Sequence, residues 1–310
     1  MASVKVLDTP PPKPLDNQTL NHLSQEEQDA LKAAVFQRLH PRLYLERYIA
    51  EDVRPDGRAF DAFRDVSVNV GSISTAEGSA LVRMGATTVV CGVKAEVAEP
   101  ELDKDNEGFL VPNLDLPAMC SPKFKPGPPS EEAQVLSDRL NQALVASNFL
   151  PLSSLVIHPG KAVWVIYVDA TCINYDGNAF DATLLAMVAA LKNTTLPQAI
   201  YNEETQKTLC SRTAPRVPLQ LSSSIPISAS FGIFDSKYVL ADLTSFEEPL
   251  LESSLSVIAG DDGEIVAVSQ VGSALIRAEV DGHEVQKDVL EDCIQLAKQR
   301  RDEVARQIFK

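Results

Sequence analysis

The chain has 310 residues, 45% of them hydrophobic, and carries a formal net charge of -15 at pH 7, with a pI of about 4.7. That length and apolar content suffice for one large or two ordinary domains, each with its own core. The acidity argues against a free-standing nucleic-acid binder built on a basic patch, so any RNA contact would draw much of its positive surface from partner chains. Cys91, Cys120, Cys172, Cys210 and Cys293 are scattered without a C-x-x-C pair and read as reduced thiols, Cys91, Cys172 and Cys293 within apolar patterns. His22, His40, His158 and His283 show no spacing at which two would share a metal, so no structural zinc and no other cofactor is expected. No apolar run approaches the roughly 20 residues that cross a bilayer, and the N-terminus has no signal-peptide or transit pattern. The expected location is the cytosol, the nucleus or both.

Residues 1–20 contain TPPPKPLDNQ and little that could pack, which predicts a disordered tail. Ser24 and Glu27 form a capping-box signature before a stretch in which Leu31, Val35 and Leu39 recur every four residues, a helix that Pro41 should stop. A helix-like piece, LYLERYIAE, leads into RPDGR, a predicted surface turn with Arg54 or Arg58 pairing to a carboxylate. From Arg64 the pattern alternates with period two through RDVSVNV, SALVRM and TTVVCGVKAEV, which predicts an antiparallel meander. The stretch 99–130 holds seven prolines and reads as mostly loop. Ala133, Leu136, Leu140, Ala143 and Leu144 then trace one helical face. A Trp164-containing strand runs into YDGNAFDA, and a helix from about Asp181 to Lys192, apolar nearly all round, should lie in the core.

Residues 193–225 read as a connection with a short strand or two. A second set of strands follows in IPISASFGIF, KYVLADL, LSVIAG and EIVAVSQVG, and a helix from about His283, with Val285, Val289, Cys293, Leu296, Val304 and Ile308 on its apolar side, closes the chain. Strands followed by helix thus occur twice. The expected class is α+β, two similar β-then-α modules packed together: a tail and short helix over 1–40, a first module over 41–192, a connection over 193–225 and a second module over 226–310.

RPDGR, GSALVRMGATTVVCGVKAEV, GPPSEEAQVLSDRL, VDATCINYDGNAFDA and ADLTSFEEP, in that order, resemble the successive blocks of ribonuclease PH-like proteins over roughly residues 41–310. More narrowly, the chain resembles the RNA exosome ring subunits that pair with the catalytic-type subunits. The resemblance implies the ribonuclease PH fold, with its ribosomal-protein-like βαβ topology, and a chemistry in which inorganic phosphate attacks the 3′-terminal phosphodiester of RNA. Such a reaction needs cations and N–H donors for the phosphate and a titratable group near the leaving oxygen. Active relatives place Gly-Ser-Arg or Gly-Thr-Arg after the Asp-Gly turn, where this chain has Asn178, Ala179 and Phe180. Pro129 stands where an arginine would, and Ser253 and Ser254 stand near the position of a later aspartate.

YDGNAFDA therefore reads as a strand-to-helix turn, with Asp181 near the N-cap, around a phosphate site that has lost its ligands. Asp242, Glu247 and Glu248 read as a solvated strand-end turn, and KQRR at 298–301 as a solvent-exposed helix face. The residues singled out for RNA contact are Lys123 and Lys125, which flank Phe124 in SPKFKPG, together with Arg139 and Arg58. The function so implied is a catalytically silent exosome ring subunit in the nucleus, nucleolus and cytoplasm. It would act beside other ring subunits, cap proteins and a hydrolytic nuclease in 3′-end processing and decay of ribosomal and messenger RNA. An active phosphate-dependent 3′-exoribonuclease and a metabolic enzyme on the same topology remain the alternatives.

Overall fold

In the computed structural model, which describes residues 25–211, 213–280 and 283–308, the chain divides into two compact units between Gly57 and Arg58. The tail over 1–20 and the Ser24 cap lie outside the described residues. In the first unit, α1 (Gln25–Leu39) and α2 (Pro41–Ile49) are separated at His40. Proline cannot continue a helix because it lacks an N–H, yet its fixed φ suits a first helical position, so Pro41 ends one helix and opens the next. Phe36 packs its ring against His40 and Tyr44, with the Arg47 guanidinium 4.6 Å from its centroid. The stripe of Leu31, Val35 and Leu39 stands exposed. RPDGR does turn, with Gly57 donating to the Arg54 carbonyl, but Arg54 is fully buried and not on the surface.

The second unit is built on a six-stranded sheet of β1 (Val66–Val70), β2 (Gly78–Met84), β3 (Thr87–Ala98), β4 (Phe109–Asp115), β5 (Val156–His158) and β6 (Ala162–Asn174). Its order is β1-β2-β3-β6-β4, with β5 also on β6, and only the β4–β6 pair is parallel. The predicted meander is β1 to β3. β4 lies inside the stretch expected to be mostly loop; it is a sheet edge, where Pro112 can lack an N–H because β4 has only β6 as a neighbour.

Two helices serve this sheet. In α3 (Glu131–Ala146), Ala133, Leu140, Ala143 and Leu144 are buried, as the 3.6-residue spacing dictates, and the Ser130 hydroxyl caps the N-terminus by accepting from the Ala133 N–H. In α4 (Ala179–Asn193) every side chain from Ala179 to Leu191 is buried, because the helix packs on β2 and β3 and also on β11 (Ile227–Phe234) of a second sheet. An apolar residue lies on each of its sides because each side has a partner.

Four short strands, β7 (Thr195–Leu196), β8 (Ala199–Asn202), β9 (Lys207–Cys210) and β10 (Val217–Pro218), occupy the connection before β11. The second sheet has the order β12-β11-β13-β14, with β12 (Tyr238–Ala241), β13 (Ser253–Ala259) and β14 (Ile265–Val271). Along β11, Ala229, Phe231 and Ile233 join the core under the last helix, while Ser230 reaches Asp181 of α4. The closing helix α5 (Leu290–Ile308) begins later than expected, because residues from His283 form a hairpin of β15 (Leu275–Val280) and β16 (His283–Asp288). Cys293 and Val304 are buried as foreseen, Ala297 is buried beside them, and Leu296 is only partly buried. Arg300 of KQRR is buried as well, because it donates to the Arg64 carbonyl at 2.7 Å and lies over the Phe63 ring.

Candidate functional site

Two turns meet at the N-terminus of α4. One is the YDGN turn after β6 and the other is the ADLT turn after β12. They approach backbone to backbone: a Cβ on Gly177, whose φ is +77°, would lie 2.5 Å from the Thr244 carbonyl carbon. Only glycine fits there. Asn178 and Asp242 both adopt the left-handed conformation, at φ 51° and 50°, which costs a non-glycine residue about 1 kcal/mol or more. Their side chains offset that cost through the bond from Asn178 Nδ2 to Asp242 Oδ1, at 2.7 Å.

Asp242 is fully buried. It takes a bidentate pair from Arg64, Nε to Oδ2 and NH2 to Oδ1 at 2.8 Å each, and the Arg64 N–H adds a third bond at 2.8 Å. Burial alone would raise this carboxyl, but the Arg64 hydrogen bonds and charge, with the Asn178 amide, outweigh it and hold the group at about 2. The Arg64 guanidinium is raised in turn, the Asp242 partnership overcoming its own burial. Arg64 also donates to the Asp176 carbonyl at 2.7 Å, so it ties the two turns together. Asp181 is buried on α4 and accepts from Asn178 Nδ2, the Ser230 N–H and the Ser230 hydroxyl, each at 2.8 Å. Its burial outweighs those donors and pushes its carboxyl up.

Beside these turns lies a cavity of about 290 Å³. Its wall includes Glu132 and Arg139 of α3, Tyr175, Phe180, Glu248 and Ser254. Glu248 is bound on both oxygens: Oε1 accepts the Asn178 N–H at 2.7 Å and Oε2 accepts the Tyr175 hydroxyl at 2.6 Å. Glu132 pairs with Lys123 at 2.7 Å, and Glu252, also on the wall, accepts from the Ser236 hydroxyl at 2.8 Å. Every carboxylate on the wall is thus engaged inside the chain. The Tyr175 hydroxyl is driven up, first by burial and then by its carboxylate neighbours. Among the described residues no group of His, Cys, Asp or Glu side chains could hold a metal ion.

The residues read from the sequence divide accordingly. Asn178, Ala179, Phe180 and Ser254 come together at this cavity, whereas Pro129 is exposed just before α3 and lies off its wall. The acidic trio is not the solvated turn expected. Asp242 and Glu247 are buried because Arg64 engages the first and the Thr244 N–H and hydroxyl, each at 2.9 Å, engage the second. Arg58 does pair to a carboxylate, reaching Asp242 Oδ2 at 3.2 Å. Lys123 holds Glu132 and lies over the Tyr175 ring, Phe124 is tucked inward, and Lys125 is exposed. Arg139 stacks on Phe180, 4.4 Å from its centroid, with Nε buried and without a hydrogen-bond partner, and burial lowers its guanidinium.

Arg64, Tyr175 and Glu132 lie inside the segments RDVSVNV, YDGNAFDA and GPPSEEAQVLSDRL, yet none was singled out for the site; the pairing of Arg64 with Asp242 spans 178 positions and has no local signature.

Residues 62–197 match the 3′ exoribonuclease family, domain 1, and residues 224–300 match its domain 2. The chain is 42% identical to exosome complex component rrp43 of Schizosaccharomyces pombe over 90% of its own length and 98% of the relative's. It is 37% identical to exosome complex component Rrp42 of Thermococcus gammatolerans over 72% of its length and 80% of the relative's. A solved Archaeoglobus fulgidus exosome with RNA bound to the active site superposes with a TM-score of 0.73 at 30% identity, covering 87% of this chain and 97% of that one. Fold, motif order and sequence therefore agree, and the chain belongs to the ribonuclease PH family of 3′ exoribonucleases.

Proposed function

We propose that this chain is a catalytically silent ring subunit of an RNA exosome, a scaffold and part of the RNA path for 3′-to-5′ processing and decay of ribosomal and messenger RNA. The observation that carries the reading is the wall of the cavity. Where phosphorolysis requires a hydroxyl, a guanidinium and a titratable acid, the wall offers Ala179, Phe180 and Ser254, and its three carboxylates are committed to Lys123, Asn178, Tyr175 and Ser236. A serine hydroxyl does not titrate near neutrality. Arg139 brings a cation to the wall, but its guanidinium carbon lies 4.4 Å from the centroid of the Phe180 ring.

The similarity to exosome components of a yeast and an archaeon supports the assembly, and the net charge of -15 fits a piece of a larger machine. The partners are then other ribonuclease PH-like ring subunits, cap subunits and a separate hydrolytic nuclease, in the nucleus, nucleolus and cytoplasm. Its two β-then-α modules, over 41–192 and 226–310, would each supply part of the ring contacts. Within this reading Lys125 is the foremost RNA contact of the four basic candidates, because it is exposed while Lys123, exposed as well, is paired with Glu132. The test is co-expression with ribonuclease PH-like partners. A defined ring that contains this chain supports the reading, and a stable monomer whose melting point ignores every such partner overturns it.

A further inference from the structure

The connection between the two sheets holds a ribbon that no third strand completes. β8 and β9 form a two-stranded sheet of their own, with Ile200 opposite Leu209. One face is seated, because the Tyr201 ring lies 5.0 Å from that of His158 on β5. The other is bare: Ile200 and Leu209 are 72% and 61% exposed. The ribbon is nonetheless fixed in shape. Asn202 Oδ1 accepts the Glu204 and Thr205 N–H groups at 2.9 and 3.1 Å in its turn, and the Ser211 N–H closes its base on the Gln198 carbonyl at 2.8 Å. β8 is the strand that meets β5, which leaves β9 with an outer edge that pairs with no described strand. Folded chains usually guard such an edge. On β4 the guards are Pro112 and the Ser137 hydroxyl, which accepts the Leu114 N–H at 2.9 Å, whereas β9 has only Lys207 at its turn end.

The surface around the ribbon is acidic. The loop over 99–107 carries five carboxylates and one ammonium, Lys104, which pairs with Glu107 at 3.6 Å, and Leu102 stands fully exposed among them. The Gly160 N–H ties this loop to the β5–β6 turn through the Asp105 carbonyl at 3.0 Å, and β5 meets the ribbon where His158 Nε2 lies 3.6 Å from Glu203. Exposed Glu203 and Glu204 carry the same charge onto the ribbon's own turn. We propose that β9 is a docking edge for an extended, basic segment of another polypeptide. The segment adds as a third strand, its apolar residues continuing the Ile200–Leu209 face and its lysines or arginines answering the surrounding carboxylates. An unpaired edge calls for a strand, because an extended backbone offers N–H and C=O groups at the spacing of the ladder. The carboxylates select a cationic one. They disfavour RNA, and they disfavour a second copy of this chain, which would set the same acidic surface against itself.

The test uses the full chain and a fluorescein-labelled, end-capped peptide of sequence KVKVKVK, followed by anisotropy. The peptide should bind saturably, weaken as salt is raised, and slow hydrogen exchange at the amides of Lys207–Cys210. The peptide KVKPKVK has the same charge, but its proline removes an N–H and interrupts strand pairing, so it should bind at least about tenfold more weakly. Ile200→Ser with Leu209→Ser changes two exposed side chains and should fold normally while losing about tenfold in affinity. Glu101→Lys with Asp103→Lys, away from the ribbon itself, should weaken binding as well. Absence of binding overturns the proposal. So does equal affinity for KVKPKVK, which reduces the contact to charge alone. Self-association of the chain without peptide that is lost in Leu209→Ser assigns the edge to a second copy and overturns it too.

Discussion

Arg64 and Asp242, 178 positions apart, form a buried bidentate pair in which Nε and NH2 each lie 2.8 Å from a different carboxylate oxygen. The pair joins the entry of β1 to the turn after β12, and through the Asp176 carbonyl it reaches the turn before α4. Removing one partner leaves an uncompensated buried charge. Asp242→Ala and Arg64→Ala are each expected to cost about 3–5 kcal/mol. In urea denaturation the double variant should lose less than the sum of the two, by about 0.5–3 kcal/mol.

The same pair sets an acid limit. The Asp242 carboxyl is depressed from 3.8 to about 2, so its contribution is complete above pH 3.8 and is lost as pH falls through 2. At about 1.4 kcal/mol per pH unit the contribution is on the order of 2 kcal/mol. Urea midpoints of the wild type should therefore fall more steeply than those of Asp242→Asn between pH 4 and pH 2. Asp181 has the opposite sign. Its carboxyl is raised above 3.8, so the folded state holds the proton more tightly and loses that advantage as pH rises from 3.8. Against Asp181→Asn, the wild type should decline as pH rises through that range.

The core around α4 gives a third expectation. Leu184 is fully buried, and Leu184→Ala should cost about 2–5 kcal/mol in chemical denaturation. Val135 on α3 is 59% exposed, and Val135→Ala should stay within about 0.5 kcal/mol.

The two loop lysines should separate. Lys123 makes a half-exposed ion pair with Glu132, so Lys123→Ala should change stability by at most about 1 kcal/mol. Lys125 is the one expected to meet RNA phosphate. In the assembled ring, Lys125→Ala should weaken binding across sequences alike and reduce the salt slope by about one. Unchanged affinity and slope would remove Lys125 from the RNA path.

Much of the architecture was legible where local pattern and final environment coincide. The helix over 179–193 reads as core because it is apolar on every side and is packed on by both sheets. β4 was hidden by prolines, since Pro112 argues against a central strand and only the edge position admits it. The β15–β16 hairpin was hidden by charge, because LIRAEV and HEVQKD lack a clean alternation and merge with the helical pattern that follows. At the site, the substitutions at Ala179, Phe180 and Ser254 could be read by resemblance alone. The engagement of Asp242 by Arg64 and of Glu248 by the Asn178 N–H could not, because both depend on turns that are distant in sequence and meet only in the folded chain.

The most direct measurement of silence is phosphorolysis. A ring containing this chain, with every other nuclease site disabled, is incubated with labelled RNA and inorganic phosphate, and release of nucleoside diphosphates is followed. The same is done with Ser254→Asp, which restores one carboxyl group while Ala179 and Phe180 still stand where a hydroxyl and a guanidinium are needed. Loss of one such contact lowers the rate by about 10²–10³, and more than one is missing. Neither ring should show phosphate-dependent shortening. Nucleoside diphosphates released by the wild-type ring, or by Ser254→Asp alone, would contradict it.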